Sequence, residues 1–234
     1  MKIENAVVLV TGANRGIGLA FARELLARGA RKVYAGARDP ATVMQTGVQP
    51  LRLDVTKSVD VAAAAELASD VTLVINNAGI AQPGGFLAPD SEEVARRIFE
   101  TNFFAMLRLS KAFAPILKAN GGGALLNVLS VASWVNGGEL ASYSASKSAA
   151  WSLTNALRNE LAAQKTQVLA LHMAYVDTDL TRGFDVPKSS PEQIVKRALD
   201  GLESGLDEVL ADELTLQVKH GMTAARPSYL PQAS

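Results

Sequence analysis

The sequence predicts a single α/β domain in which helices cover both faces of a parallel sheet, and three observations support this fold class. Short apolar runs of strand length alternate along the 234 residues with longer segments that have helical spacing. Most of these short runs are continuously apolar, as in strands that are buried on both faces. A glycine-rich turn also joins the first strand to the first helix. Such regular alternation is typical of stacked βαβ units, and therefore of a doubly wound sheet.

Each element follows from its local pattern. Seven short apolar runs predict strands, which are Ala6–Val10, Lys32–Gly36, Pro50–Leu53, Val71–Ile75, Gly123–Leu129, Gln167–Leu171 and Asp207–Leu210. Apolar residues at helical spacing predict five helices, which are Ile17–Arg28, Val59–Ala68, Ser91–Lys118, Ser142–Ala163 and Pro191–Glu203. No change in composition divides the chain, so one domain is expected over residues 1–234. Two prolines, Pro227 and Pro231, predict an extended tail at 222–234.

The composition excludes several classes of function. The chain has 23 Lys and Arg against 23 Asp and Glu, whereas a nucleic-acid binder normally has a basic excess. The absence of cysteine removes disulfides and thiolate catalysis, and His172 and His220 form no short metal motif. No apolar run reaches the ~18 residues of a membrane span, and the first residues do not resemble a signal peptide. We therefore expect a cytoplasmic protein that binds no metal, membrane or nucleic acid.

A glycine-rich turn follows the first strand, in Thr11-Gly12-Ala13-Asn14-Arg15-Gly16-Ile17-Gly18. A sharp turn from strand to helix favours a glycine such as Gly12. The N–H groups and dipole at a helix N-terminus favour an anion such as a pyrophosphate, and Gly16 would clear its approach. Gly18 would let the helix pack on the strand. The position of the turn favours a dinucleotide-binding Rossmann fold, although a purely structural turn can carry the same glycines.

Tyr143 and Lys147 lie four residues apart at the start of a predicted helix and therefore share one face. A phenol near an ammonium group can act as a general acid and base toward an alcohol or carbonyl oxygen. On its own, this spacing is weak evidence, because a half-buried tyrosine and a surface lysine on an ordinary helix produce it far more often. Ser130 ends the fifth predicted strand, at the edge where open α/β sheets bind ligands. The fourth strand ends at the same edge in Asn76-Asn77-Ala78-Gly79.

Together these motifs resemble those of the classical short-chain dehydrogenases/reductases over almost the whole chain. The matching positions are Thr11–Gly18, Asn76–Gly79, Asn102, Ser130 and Tyr143–Lys147. The resemblance implies an oxidoreductase that transfers hydride between a nicotinamide and a carbonyl or alcohol carbon. It also implies that small molecules are its substrates.

The resemblance implies a role for each of four residues. Tyr143 would be the catalytic acid and base, and Ser130 would hydrogen-bond the substrate oxygen. Lys147 would contact the nicotinamide ribose and depress the pKa of Tyr143, while Asn102 would hold a water that links Lys147 to solvent. The expected cofactor contacts are Gly12, Asn14, Arg15, Gly16, Ile17, Gly18, Arg38, Asp54, Val55, Asn76, Ala78, Gly79, Tyr143, Lys147, Val176 and Thr178.

The choice of cofactor depends on the end of the second strand, where dinucleotide folds bind the adenosine ribose. By resemblance, the acid of NAD-using members would align with Ala37, which cannot accept a hydrogen bond. Arg38 follows directly and Arg15 lies in the glycine turn, so two guanidinium groups could bind a 2′-phosphate; two ordinary surface arginines are the alternative. NADP(H) is therefore the expected cofactor, and NAD(H) is less favoured. Asp54 resembles the family residue that contacts the adenine amine, with a turn or helix cap as its alternative.

The family commonly has Pro-Gly after the sixth strand, where this chain has Met173-Ala174. Val176 and Thr178 match the family residues that contact the nicotinamide carboxamide. Because Met173-Ala174 replaces Pro-Gly, the path of the backbone beside these two residues does not follow from the resemblance. His172 is expected to be structural rather than a substrate contact. The following segment, Asp179–Ser190, resembles the region that folds over the substrate and is short here.

The substrate and the assembly are less directly indicated. Five residues are expected to form apolar walls, although each could equally belong to the core: Trp134, Val135, Leu140, Tyr175 and Phe184. A compact hydrophobic or aryl ketone, aldehyde or secondary alcohol is therefore expected. The helix Ser91–Lys118 and the helix with Tyr143 resemble the pair through which family members form homodimers or homotetramers. The alternatives to an enzyme are a catalytically silent NADP(H)-binding sensor and a structural protein on the same fold.

Overall fold

A seven-stranded sheet forms the centre of the computed structural model, which describes residues 1–230. The strands are β1 Val7–Thr11, β2 Lys32–Ala37, β3 Gln49–Arg52, β4 Leu73–Asn76, β5 Ala124–Val128, β6 Gln167–His172 and β7 Glu208–Leu210. Their order is β3-β2-β1-β4-β5-β6-β7, and each neighbouring pair is parallel. The chain therefore reverses its direction of winding between β1 and β4, and the carboxyl ends of these strands flank a topological switch point.

Helices cover both faces of the sheet, as the continuously apolar strands predict. Within residues 1–230 the α-helices are α1 Gly16–Ala27, α2 Ser58–Leu67, α3 Ser91–Phe99, α4 Ala105–Ala119, α5 Ala141–Glu160, α6 Pro191–Glu203 and α7 Glu213–Gly221. One core layer holds Phe21 of α1 and Leu199 of α6, and the other holds Phe113 of α4 and Leu157 of α5. All residues of β1, β4 and β5 are buried because both layers cover them. The predicted doubly wound fold class is confirmed.

Two helical predictions need correction. The helix predicted at Ser91–Lys118 follows a continuous path, but the five-residue π-helical segment Glu100–Phe104 separates α3 from α4. The short α7 was not predicted, although its ends carry ordinary helix signals. Asp212 caps it by accepting from the Thr215 amide at 2.8 Å, and Lys219 lies in its last turn.

The extended tail predicted at 222–234 is wrong for the part that the structure describes. Residues 222–230 form turns that fold back onto α7. The Ser228 hydroxyl donates to the Val218 carbonyl at 2.7 Å, and the Ser228 amide donates to Gly221 at 3.0 Å. Proline restricts the backbone without requiring an extended path, and these hydrogen bonds decide the path here. The remaining residues of the predicted tail, Pro231 among them, lie outside the described residues.

Candidate active site

The glycine turn joins β1 to α1 beside the switch point. Gly12 and Gly16 have φ angles of 65° and 54°, which favour glycine because other residues rarely adopt them. Gly18 is required for a different reason, because a Cβ there would collide with the Gly12 carbonyl. The Arg15 side chain at the N-cap makes no capping hydrogen bond to α1, and a Cβ on Gly16 would lie 3.4 Å from Thr178 Cγ2. An uncapped helix start and a glycine cradle fit a pyrophosphate group.

Thr11 and Asn77 tie together the strand ends on either side of the switch point. Thr11 Oγ1 accepts from the Asn77 amide at 3.0 Å and from the Ala78 amide at 2.9 Å. In return, Asn77 Nδ2 donates to the Thr11 carbonyl at 2.8 Å. Asn76 is buried, and its Nδ2 donates to Asn127 Oδ1 at 2.8 Å, so its side-chain amide is used inside the protein. The role of Asn77 in linking the ends of β1 and β4 was not predicted, although the residue lies within the Asn76–Gly79 motif.

Ser130, Tyr143 and Lys147 come together at the carboxyl edge of the sheet. Ser130 follows β5, and its Oγ accepts from the Ala132 amide at 3.1 Å. Tyr143 and Lys147 lie in the first turns of α5. Lys147 Nζ donates to the Val128 carbonyl at 2.8 Å and lies 5.7 Å from the centroid of the Tyr143 ring. Two hydroxyls and one buried ammonium group therefore share this site, as the sequence predicts.

Burial shifts both titratable groups toward their neutral forms. Desolvation raises the pKa of Tyr143 above its ordinary value of 10, although a hydrogen bond with the Ser130 side chain lowers it in part. Desolvation also lowers the pKa of Lys147 from 10.5 to about 8. The expected depression of the Tyr143 pKa by Lys147 is therefore not seen, because the cost of burying a phenolate dominates. Tyr143 is protonated near neutral pH, which suits a proton donor.

Asn102 lies in the π-helical segment and anchors the loop after β4. Its Oδ1 accepts from the Ile80 amide at 2.9 Å, and its Nδ2 donates to the Ile80 carbonyl at 2.9 Å and to Ser146 Oγ at 3.0 Å. Both amide hydrogens are therefore used by the protein. The same loop brings Gly79 close to the site, since a Cβ there would lie 3.8 Å from Lys147 Nζ. The water-holding role of Asn102 stays a prediction.

The two arginines expected at a 2′-phosphate lie at the ends of neighbouring strands. Arg15 follows β1 and Arg38 follows β2, and both side chains are exposed. Arg15 Nη1 makes an ion pair with Asp179 Oδ2 at 2.8 Å, with 67% of the arginine side chain exposed. Such an exposed pair is worth about 0–1 kcal/mol, so a phosphate could readily take the place of the carboxylate. Asn14 donates to Thr42 Oγ1 at 3.1 Å at the same edge.

Asp54 forms a turn, in agreement with its alternative interpretation. Its Oδ1 accepts from the amide and the hydroxyl of Thr56 at 3.0 and 2.7 Å. Burial raises the pKa of Asp54, but these hydrogen bonds outweigh it and hold the pKa below its ordinary value. Arg38 also contributes to this lowering, which places its charge near Asp54. Three other predicted cofactor contacts are buried or half-buried nearby: Ile17, Val55 and Ala78.

The backbone after β6 is held at the position where the family commonly has Pro-Gly. The Met173 carbonyl accepts from the Val131 amide at 2.8 Å, and the Ala174 amide donates to Asp212 Oδ2 at 2.7 Å. Asp212 therefore caps α7 and fixes this loop at once, a role that the sequence did not reveal. Val176 is buried, and Thr178 lies against Gly16 at the glycine turn.

The expected apolar walls divide into two groups. Trp134 is buried and stacks on His172 with ring centroids 4.0 Å apart, so its assignment as an open wall is corrected to a core position. Tyr175 and Phe184 are partly exposed, and their rings contact each other with centroids 5.5 Å apart. Leu140 is partly buried and bridges Gly84 at the start of α5, and Val135 is also partly buried. The role of this aromatic pair as a wall stays a prediction.

Lys147→Met should test the burial of the lysine charge through its effect on stability. The folded wild type releases the proton near pH 8, whereas an unfolded lysine releases it near 10.5. Between these values the unfolded chain holds more protons, so wild-type stability rises with pH, and the variant lacks this rise. Thermal unfolding at about pH 7 and about pH 10 should show the melting temperature of the variant falling relative to wild type. A difference that stays constant with pH would contradict the expectation.

Among the helices within residues 1–230, none combines the length and apolarity needed to cross a membrane. Over the same residues, no group of three or more His, Asp or Glu side chains is arranged to hold a metal ion.

Comparisons with known proteins agree with the geometry. A family model described as short chain dehydrogenase matches residues 6–187. The 3-oxoacyl-[acyl-carrier-protein] reductase FabG of Vibrio cholerae is 30% identical over 194 residues, which cover 79% of each chain. A short chain dehydrogenase from Burkholderia cenocepacia, solved in complex with NADP, is 41% identical with a TM-score of 0.93 and covers 97% of this chain and 96% of its own. A 3-ketoacyl-(acyl-carrier-protein) reductase from Brucella melitensis, complexed with NADH, is 27% identical with a TM-score of 0.79, over 88% of this chain and 96% of its own.

Proposed function

Because the chain belongs to the short chain dehydrogenase family, whose members are oxidoreductases with a nucleotide cofactor, we propose that it transfers hydride between NADP(H) and a small carbonyl compound or alcohol. One observation carries the proposal. The hydroxyls of Ser130 and Tyr143 and the ammonium group of Lys147 lie together at the carboxyl edge of the sheet, beside a glycine turn that fits a pyrophosphate. A silent sensor would not need this proton-transfer group.

Tyr143, Ser130 and Lys147 would each carry out a different part of the proposed reaction. When bound, the cofactor supplies or accepts the hydride. In reduction, the protonated Tyr143 hydroxyl would donate a proton to the substrate oxygen, and in oxidation its phenolate would take one back. The Ser130 hydroxyl would donate a hydrogen bond to the same oxygen and stabilise the charge that develops there. Lys147, with a pKa of about 8, would replace or remove the proton near neutral pH.

NADP(H) is favoured over NAD(H) by the charges beside the second strand. Arg15 and Arg38 offer two exposed guanidinium groups to a phosphate dianion, and Ala37 offers no acceptor for a ribose hydroxyl. The similar protein from Burkholderia cenocepacia was solved with NADP, which supports this choice. The one from Brucella melitensis was solved with NADH, so the cofactor has to be tested on this chain.

A compact apolar carbonyl compound is the proposed substrate class. The partly exposed Tyr175 and Phe184 rings form an apolar surface in and after the loop that follows β6. In Asp179–Ser190, the Asp179 carboxylate already makes ion pairs with Arg15 and Arg182. We further propose homodimers or homotetramers through the continuous helical segment of α3 and α4 together with α5, because this pair of helices matches the one through which family members associate. A monomeric mass in light scattering would contradict the dimer.

Two measurements test the proposed function. NADPH should raise the melting temperature of the protein and NADH should raise it less, because only NADPH carries the 2′-phosphate. NADPH oxidation should then be followed with aryl ketones, aliphatic aldehydes and a 3-oxoacyl thioester. Turnover with a compact aryl or aliphatic compound supports the enzyme, and binding without turnover on the whole panel favours the sensor. Binding of neither cofactor would favour a structural protein.

A further inference from the structure

A buried imidazole lies directly behind the proposed catalytic serine. His172, the last residue of β6, is fully buried. Its Nδ1 lies 3.1 Å from the Ser130 carbonyl oxygen, and its Nε2 lies 3.4 Å from Glu208 Oε1 on β7. The ring also stacks on Trp134, with centroids 4.0 Å apart and an interplanar angle of 23°. The His172 ring therefore has a hydrogen bond at Nδ1, a carboxylate beside Nε2 and an aromatic ring on one face.

The acceptors around the ring determine which nitrogens carry hydrogen. A carbonyl oxygen can only accept, so Nδ1 must donate to Ser130. On the other side, the neighbouring His172 ring and Lys219 on α7, which donates to Oε1 at 3.1 Å, lower the pKa of Glu208 to about 2, although burial opposes this. Nε2 therefore faces an ionised carboxylate. The Nδ1–H group is thereby directed at the Ser130 carbonyl, and the opposite edge of the ring lies against the Glu208 carboxylate.

The contact with Ser130 occurs where the regular sheet has ended. The amides of Leu129 and Val131 still donate to carbonyls at the end of β6 and just after it, those of Leu171 and Met173, both at 2.8 Å. The Ser130 carbonyl, between them, accepts instead from the Ser133 amide at 3.0 Å and from His172. The carbonyl and the hydroxyl of Ser130 belong to one residue, and Oγ is further held by the Ala132 amide. A shift of the backbone at this point would therefore displace the Ser130 hydroxyl together with the Ala132 amide that holds it.

We propose that His172 is a positioning residue, which holds the Ser130 carbonyl so that the Ser130 hydroxyl faces the substrate oxygen. Glu208 holds the ring in this orientation, and Lys219 holds Glu208 from α7. The inference rests on the proposed function, because it assigns a task to Ser130. It also extends the sequence expectation that His172 is structural.

Two substitutions of His172 separate its hydrogen bond to Ser130 from its contact with Glu208. In His172→Asn the amide nitrogen takes the place of Nδ1 and can still donate to Ser130. In His172→Gln the amide nitrogen takes the place of Nε2, so it can reach Glu208 but not Ser130. With NADPH and the panel compound that turns over fastest, we expect His172→Asn to keep most of the wild-type kcat. His172→Gln should lose roughly 10- to 100-fold in kcat, since a displacement of about 1 Å can cost 10²-fold. NADPH binding should be unchanged in both.

The controls make each outcome decisive. His220→Gln makes the same change on the exposed face of α7 and should match the wild type. Equal kcat losses for His172→Asn and His172→Gln would show a packing role and overturn the proposal, as would a wild-type kcat for His172→Gln.

If His172→Gln binds no NADPH, Glu208→Gln replaces it as an isosteric change on the edge strand. That variant should lower kcat by about threefold or more with NADPH binding intact, and a wild-type kcat would overturn the proposal. Tyr143→Phe is measured alongside to distinguish failure of the His172 proposal from failure of the proposed function. Wild-type turnover in that variant would refute the proposed function itself.

Discussion

Tyr143→Phe should lose roughly 10²- to 10⁴-fold in kcat while it still binds NADPH, because positioned acid–base catalysis is typically worth this much. Phenylalanine keeps the ring that packs near Lys147 and removes only the hydroxyl. The raised pKa of Tyr143 keeps that hydroxyl protonated near neutral pH, where it can donate to a carbonyl oxygen. Wild-type reduction should therefore persist at neutral pH, and alcohol oxidation, which needs the phenolate, should rise with pH.

Steady-state NADPH oxidation and NADPH titration of both proteins check this prediction. Tyr229→Phe is the matched control, because Tyr229 is exposed near the carboxyl end of the described chain. It should turn over like the wild type. If Tyr143→Phe retains most of its turnover, Tyr143 is not the acid and base. If it loses both turnover and NADPH binding, the damage lies in the fold of the site.

Arg15→Ala combined with Arg38→Ala should lower the affinity for NADPH about 100-fold or more and leave the affinity for NADH nearly unchanged. Each hydrogen bond to a charged group is worth about 1.5–3 kcal/mol, and each 1.4 kcal/mol is a tenfold change in affinity. The loss of the exposed Arg15–Asp179 ion pair should add little to this effect.

Titration of both cofactors against both proteins measures this preference directly. Arg31→Ala serves as the control, because Arg31 is an exposed arginine just before β2, at the opposite end of that strand from Arg38. An equal loss of affinity for NADPH and NADH would contradict a 2′-phosphate site. The single variants would then show whether Arg15 or Arg38 supports the glycine turn instead.

The positions of some site residues could be predicted from the sequence, whereas their pKa values and the burial of others could not. The convergence of Ser130, Tyr143 and Lys147 could be predicted, because the carboxyl ends of parallel strands share an edge and a spacing of four shares a helix face. The pKa directions could not, because they depend on burial by residues distant in sequence. Trp134 shows the same limit, since an aromatic residue after a strand can line a cleft or fill a core.

The sequence by itself determined the fold class, the seven strands and the helical segments before α7, and the residues gathered at the glycine turn and beside β5. It could do so because apolar periodicity and glycine conformation are local properties. Only the tertiary structure decided what each side chain contacts. It assigned the Asn102 amide to Ile80, Asp212 to the loop after β6, and His172 to the Ser130 carbonyl. Each of these hydrogen bonds joins residues more than twenty positions apart, and no local pattern specifies such a partner.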